Sequence, residues 1–193
     1  MTNPGQFWLP GLEHAPSPNA DERPCGCEVD LLVIHNISLP PGEFGGAHIC
    51  DLFQNRLDTE AHPYFAKIAH LEVSTHLLIR RDGSAMQFVA LDRRAWHAGE
   101  SSFCGRERCN DFSIGVELEG SDETPFTDAQ YRRLVALTGE VRALFPAIAA
   151  EHIVGHSDIA PGRKTDPGPF FDWHRFRGMI GHEQNSARHI SKT

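Results

Sequence analysis

Between Gly155 and Pro169 the chain reads Gly155-His156-Ser157-Asp158-Ile159-Ala160-Pro161-Gly162-Arg163-Lys164-Thr165-Asp166-Pro167-Gly168-Pro169. Proline fixes φ and has no backbone N–H to donate, so a stretch this rich in Pro and Gly predicts neither a helix nor a central strand. It predicts a loop whose shape the backbone fixes. His156, Lys164 and Asp166 then stand on a stiff support, a common setting for chemistry. A neutral imidazole and a carboxylate are both zinc donors, and a lysine beside them stabilises developing negative charge. Each of the three taken alone has an ordinary explanation, since Asp and His are frequent in turns and Lys on surfaces.

The rest of the chain bounds what such a loop can serve. A length of 193 residues suits one domain with a substantial core. A net charge of −8 argues against a nucleic-acid binder, because a run of phosphates would meet no neutralising surface. No stretch approaches the ~20 apolar residues of a membrane span, and the first residues carry no cationic start before an apolar run. Five cysteines leave at least one unpaired within the chain, which fits a reducing compartment. The expectation is a cytoplasmic monomer with no nucleic-acid or membrane partner.

Residues 1–24, with Pro4, Pro10, Pro16, Pro18 and Pro24, predict an extended arm; residues 25–181 form the domain, and the polar residues 182–193 a disordered tail. Asp30 to His35 is short, apolar and β-branched, a buried strand with Leu31, Val33 and His35 on one face and Leu32 and Ile34 on the other. A helix is expected from about Gly46 to Leu57. Thr75 to Arg80 and Ala85 to Ala90 flank Asp82-Gly83, a hairpin signal. Asp111 to Glu119 predicts a strand with Ile114, Val116 and Leu118 on one face and Ser113, Gly115, Glu117 and Glu119 on the other. Thr127-Asp128-Ala129-Gln130 is a capping box opening a helix that runs to about Phe145, ahead of Pro146. A short helix follows from about Asp172 to Ile180. Interspersed strands and helices predict an α/β or α+β domain, with helices packed around a mixed central sheet.

His35, at the end of its strand, adds a second imidazole to His156 and Asp166. Together they compose a His₂Asp set with a fourth position left for water, the ligand count of a catalytic rather than a structural zinc. Glu117 lies on the less apolar face of its strand, with Gly115 leaving room beside it, and suits a general base; Glu119 is its rival. Other arrangements remain open. His152 and His156 have the i, i+4 spacing of a helical zinc pair, although Gly155 weakens a helix there. Cys25, Cys27, Cys104 and Cys109 have poor spacing for a thiolate zinc site, and nothing in the sequence selects a cysteine nucleophile.

Four motifs occur in order: Val33-Ile34-His35-Asn36-Ile37-Ser38, Arg94-Ala95-Trp96-His97-Ala98-Gly99, Asn110 through Gly120, and Gly155-His156 through Pro169. With Pro40-Pro41-Gly42-Glu43-Phe44-Gly45-Gly46 and Gly105 to Asp111, they make the chain resemble the zinc-dependent N-acetylmuramoyl-L-alanine amidases of the type 2 class over roughly residues 25–180. That class is related to peptidoglycan recognition proteins and phage T7 lysozyme. The resemblance implies His35, His156 and Asp166 as Zn²⁺ ligands, Glu117 as the catalytic carboxylate and Lys164 as the transition-state stabiliser. It places Asn36, Trp96, His97 and Ala98 near a cleft that binds a small muropeptide, with Arg108 available to a peptide carboxylate. The implied reaction is hydrolysis of the amide between the lactyl group of anhydro-N-acetylmuramic acid and L-Ala. The implied pathway is cell-wall recycling, linked in some bacteria to control of β-lactamase expression. Non-catalytic muropeptide binding and action on intact peptidoglycan are the alternatives. One departure is Glu72, which stands where the family carries an Arg for the stem-peptide carboxylate; Arg108 or Arg163 would have to replace it.

Overall fold

The structure, a computed structural model, describes residues 7–190, and for 182–190 the backbone alone. In chain order its elements are β1 (Glu13–His14), β2 (Ala20–Asp21), β3 (Leu31–Ile37), α1 (His48–Phe53), β4 (Leu77–Ile79), β5 (Ala85–Gln87), β6 (Arg94–Ala95), β7 (Ser102–Phe103) and β8 (Arg106–Glu107). There follow β9 (Ser113–Glu119), α2 (Asp128–Leu144), β10 (Ile153–Gly155), α3 (His156–Ile159) and α4 (Trp173–Ile190), with single 3₁₀ turns between some of them. Six strands form one sheet in the order β1-β5-β4-β9-β3-β10. Only β4 and β5 pair antiparallel, across the Asp82-Gly83 turn, so the sheet is mixed. β2–β6 and β7–β8 are separate two-stranded ribbons.

Alternation along the central strands separates two faces. Leu32 and Ile34 of β3, Ile114, Val116 and Leu118 of β9, and Leu77 and Ile79 of β4 pack with Leu134, Val135 and Val141 of α2 and Phe176 of α4. On the opposite face the apolar cover is split. Leu78, Met86 and Phe88 meet Ile49, Leu52 and Phe53 of α1, while Leu31 and Val33 meet Ala98, Cys109, Phe112 and Ile159. His35 and Glu117 stand on this second face.

α2 starts as its sequence dictates. Thr127 Oγ1 accepts from the Gln130 N–H, and Gln130 Oε1 accepts from the Thr127 N–H, each at 3.1 Å. Such a cap contributes about 1 kcal/mol. The same glutamine, fully buried, donates from Nε2 to the Glu119 and Ile79 carbonyls and so fixes α2 against the ends of β9 and β4.

Four expectations need correction. β3 continues to Ile37, so His35 lies inside the strand; pairing with β9 on one side extends it over Asn36 and Ile37. α1 is shorter than the segment 46–57. The Pro/Gly-rich segment contains one helical turn, α3, because Asp158 Oδ2 accepts the Gly155 N–H at 2.7 Å and supplies the cap that the flanking prolines cannot. The α4 backbone is helical to Ile190, where a disordered tail is expected from 182. Beyond Gly181 the sequence contains neither Pro nor Gly to stop it, and Glu183, Gln184, Ala187 and Arg188 favour helix. Residues 1–6 of the arm and 191–193 of the tail lie outside the described residues.

The arm is laid onto the domain by specific contacts. β1 pairs with β5, β2 pairs with β6, and Arg94 forms ion pairs at 2.6 Å with both Asp21 and Asp111. The Arg23 guanidinium reaches inward and donates to the carbonyls of Leu91, Asn110, Asp111 and Ser113 at 2.8–3.2 Å. Burial lowers its pKa to about 10, which leaves it charged at neutral pH. Arg23→Met would strand these buried acceptors, a loss of about 2–3 kcal/mol. The expected outcome is a clear fall in the urea midpoint with unchanged m-value; an unchanged midpoint would remove Arg23 from the structural role.

Candidate active site

Parallel pairing of β3 with β9 sets His35 opposite Glu117, and pairing of β3 with β10 sets Ile34 opposite Gly155, directly before His156. Asp166 returns to this point from the loop. His35 Nδ1 and His156 Nδ1 are 2.9 Å apart, and each lies 3.0 Å from Asp166 Oδ2. Both imidazoles are buried and Asp166 nearly so. Burial is the main reason that the His35 pKa falls to about 4, with Asp166 pulling the other way. Burial also pushes the Asp166 carboxyl up, but its contacts with His156 and His35 hold it below the usual carboxylate range. Neutral imidazole and ionised carboxylate are the forms in which these groups bind metal. Three lone-pair donors this close together need a cation or a shared proton between them, and an N₂O donor set suits zinc. His35, His156 and Asp166 are thus a fitting site for a metal ion.

Local chain geometry makes the convergence possible. A Cβ on Gly155 would lie 2.7 Å from Cδ of Pro167, so only glycine lets the end of β10 approach the Asp166 segment this closely. The Ser157 N–H donates to the Asp166 carbonyl at 2.9 Å, and the Arg163 and Lys164 N–H groups both donate to the Ala160 carbonyl at 3.1 Å. The loop is therefore folded back on α3, carrying Lys164 to the cleft with its side chain exposed.

Glu117 and Glu119 share one face of β9 and are both buried, but they differ in their partners. Glu119 accepts from the N–H of Gly45 at 2.6 Å and the N–H of Arg81 at 3.1 Å, and faces Arg80. Its carboxylate braces loops. Glu117 Oε2 is buried with no hydrogen-bond partner. Burial raises the Glu117 pKa well above its ordinary 4.5; Asp166 adds to the rise and Lys164 opposes it. Glu117 opens into a cleft of about 360 Å³ together with His35, Asn36, His156, Lys164 and Asp166. Leu52, Phe53, Tyr64 and Ile68 supply its apolar wall.

Other residues implied by the family pattern fall in several places. Asn36 lines the cleft and donates to Asp122 Oδ1 at 2.7 Å. His97 also lines it, but both ring nitrogens are engaged with protein, at 2.9 Å from His35 Nε2 and 3.1 Å from Ser113 Oγ. Trp96 and Ala98 are not among the residues lining this cleft. The Trp96 backbone is tied to Ser74 through its N–H and carbonyl, and the Ala98 carbonyl faces His156 Nε2 at 3.0 Å. Arg108 is largely exposed, 3.4 Å from Asp111, beside a neighbouring pocket that it lines with Arg163. Arg163 is committed to the Ala98 and Glu100 carbonyls. His152 meets the Asp30 carbonyl at 2.9 Å instead of pairing with His156 on a helix. Sequence reasoning missed Ser113 and Asn110 as supports; their only sequence signal is membership of the Asn110–Gly120 motif.

Glu117 has a consequence for stability that depends on pH. Its raised folded-state pKa means that its stabilising contribution is complete below the unfolded value of 4.5 and is lost as pH rises through the folded value. In metal-free protein, Glu117→Gln should therefore match the wild type near pH 4 and be the more stable of the two at pH 7. Urea denaturation at the two pH values checks this; a destabilised variant at pH 7 would contradict it.

Among the described residues no helix is long and apolar enough to cross a membrane. The N-acetylmuramoyl-L-alanine amidase family pattern matches residues 26–169. The chain is 61% identical over 173 residues to the 1,6-anhydro-N-acetylmuramyl-L-alanine amidase AmpD of Enterobacter cloacae, covering 90% of this chain and 92% of that protein. Its fold matches the crystal structure of a selenomethionine AmpD derivative with a TM-score of 0.88 at 58% identity, over 93% of this chain and 99% of the other. It also resembles the Escherichia coli amidase AmiD in complex with the substrate anhydro-N-acetylmuramic acid-L-Ala-D-γ-Glu-L-Lys, with a TM-score of 0.59 at 28% identity, over 83% and 65% of the two chains. With the sheet, the cleft and the matched motifs in agreement, the chain belongs to the N-acetylmuramoyl-L-alanine amidase family.

Proposed function

We propose that this protein is a zinc-dependent amidase that hydrolyses the lactyl–L-Ala amide of soluble 1,6-anhydro-N-acetylmuramyl peptides, in cytoplasmic peptidoglycan recycling. The observation that carries this reading is the convergence of His35 Nδ1, His156 Nδ1 and Asp166 Oδ2 beside the partnerless carboxylate of Glu117. The relatives' activity on anhydro-muropeptides supports the substrate class. Zinc bound by these three side chains supplies Lewis acidity, polarising a carbonyl and lowering the pKa of an attacking water.

The chain's own residues do the rest. Glu117 Oε2 is buried at the cleft without a competing donor, so it accepts the proton of the attacking water and returns it to the leaving amide nitrogen. Burial and Asp166 raise its pKa and Lys164 opposes them; a bound cation would pull the same way as Lys164, toward the carboxylate form that accepts a proton. The Lys164 ammonium at the cleft stabilises the charge that develops on the carbonyl oxygen. Asn36, fixed by Asp122, offers a polar contact at the mouth. A purely muropeptide-binding role would not require Lys164 and an unpartnered Glu117 oxygen beside a complete donor set.

Metal analysis and cleavage assays test this. Alanine in place of His35, His156 or Asp166 is expected to lower zinc content, and full occupancy in all three variants would refute the ligand assignment. Glu117→Ala should keep zinc and lose most turnover, and Lys164→Ala should lose on the order of 100-fold in kcat. Wild-type protein should cleave anhydro-muropeptide readily and intact sacculi poorly; the reverse preference would favour a wall hydrolase.

A further inference from the structure

Both imidazoles of the ligand cluster are held from behind by one dipeptide. His156 Nε2 lies 3.0 Å from the Ala98 carbonyl, and His35 Nε2 lies 2.9 Å from Nδ1 of His97. The N–H groups of His97 and Ala98 both donate to Asn110 Oδ1, at 3.2 and 2.8 Å, so one side chain clamps the pair. A carbonyl only accepts. His156 therefore carries its proton on Nε2 and turns the Nδ1 lone pair toward Asp166 and His35.

His35 has no such fixed acceptor, because its partner is another imidazole with two tautomers. Two proton arrangements satisfy the chain from His35 through His97 to Ser113. In one, His35 Nε2–H donates to His97 Nδ1, and His97 Nε2–H donates to Ser113 Oγ 3.1 Å away. This leaves the His35 Nδ1 lone pair free for a metal. In the other, Ser113 Oγ–H donates to His97 Nε2, His97 Nδ1–H donates to His35 Nε2, and the His35 proton sits on Nδ1, where it blocks ligation. The ring cannot leave this position for the substrate side without breaking both contacts. It lies on the backbone of β9 at Gly115, where a Cβ would be 2.6 Å from His97 Cγ, so glycine alone admits it.

We propose that His97 is a positioning residue: with Ser113 as its acceptor it holds His35 in the Nε2–H tautomer and thereby sets the affinity for the metal. It acts through His35 and replaces the substrate-contacting role that the family pattern suggests for this residue. The proposal rests on the zinc reading of the site. It also couples the two ends, since loading the site drives the His97 proton onto Nε2, toward Ser113.

Zinc affinity and tautomer state together test it. His97→Leu removes the acceptor for His35 and is expected to weaken zinc binding about 10- to 100-fold in chelator competition. His97→Gln, whose amide accepts at one end and donates at the other, should restore most of that loss. Two-bond ¹H–¹⁵N spectra of zinc-loaded wild-type protein should show His97 protonated at Nε2, a readout that needs no variant to fold. His97 protonated at Nδ1, or a folded His97→Leu protein with wild-type affinity, would overturn the relay and leave the zinc site standing. Failure of the wild type itself to bind zinc would overturn both.

Discussion

Everything at the cleft depends on the parallel register of β3 against β9. Seven consecutive pairs run from Leu31 opposite Ser113 to Ile37 opposite Glu119, with His35 opposite Glu117 as the fifth. Because side chains alternate, this register sends Leu32, Ile34, Ile114, Val116 and Leu118 under α2 and turns the polar residues to the other face. A slip of one residue in either strand would exchange the two sets, burying an imidazole under α2 and exposing isoleucine in the cleft. The apolar residues that secure the core therefore also secure the distance between the His35 imidazole and the Glu117 carboxylate, and the sheet needs no separate device for the site.

Placing so many polar groups on a buried face is costly unless each finds a partner. Most do. Glu119 is satisfied by loop N–H groups, His76 accepts from the Gly115 N–H and contacts the Arg93 carbonyl, and the His97–Ala98 segment is clamped by Asn110. Against that background the bare oxygen of Glu117 is informative. Two carboxylates two residues apart on one strand face have opposite treatment, and the one left unsatisfied is the one in the cleft. Natural sequences accept such local violations where function requires them.

Much of the scaffold was legible because its signals are local. The alternation in 31–35 and 113–119, the Asp82-Gly83 turn and the Thr127/Gln130 box each act within a few residues, and each element appears within its pattern, although the hairpin strands expected over 75–80 and 85–90 shorten to Leu77–Ile79 and Ala85–Gln87. Some errors arose where a distant partner decides, as where β3 is lengthened by β9. Another was local: α3 exists because Asp158, three residues after Gly155, caps a turn that proline content alone argues against. Arg23, in an arm without periodicity, gains its role only from four carbonyls some 70 to 90 positions away. For the candidate site, donor identities at His35, His156 and Asp166 could be read, whereas the work of His97 and Ala98 could not. A motif shows that residues belong together without showing which atom faces which.

By itself, the sequence determined which residues alternate, where the turns and caps fall, and which side chains have the chemistry for a metal and a proton. The tertiary structure decided that Nδ1 of His35 meets a nitrogen 121 positions away and an oxygen 131 positions away, and that Glu117 rather than Glu119 is left without a donor. The physical reason is range. Propensity and periodicity act over a turn or a strand, but the partner of a buried polar atom is whatever packing brings within 3 Å of it, and only the folded chain specifies that.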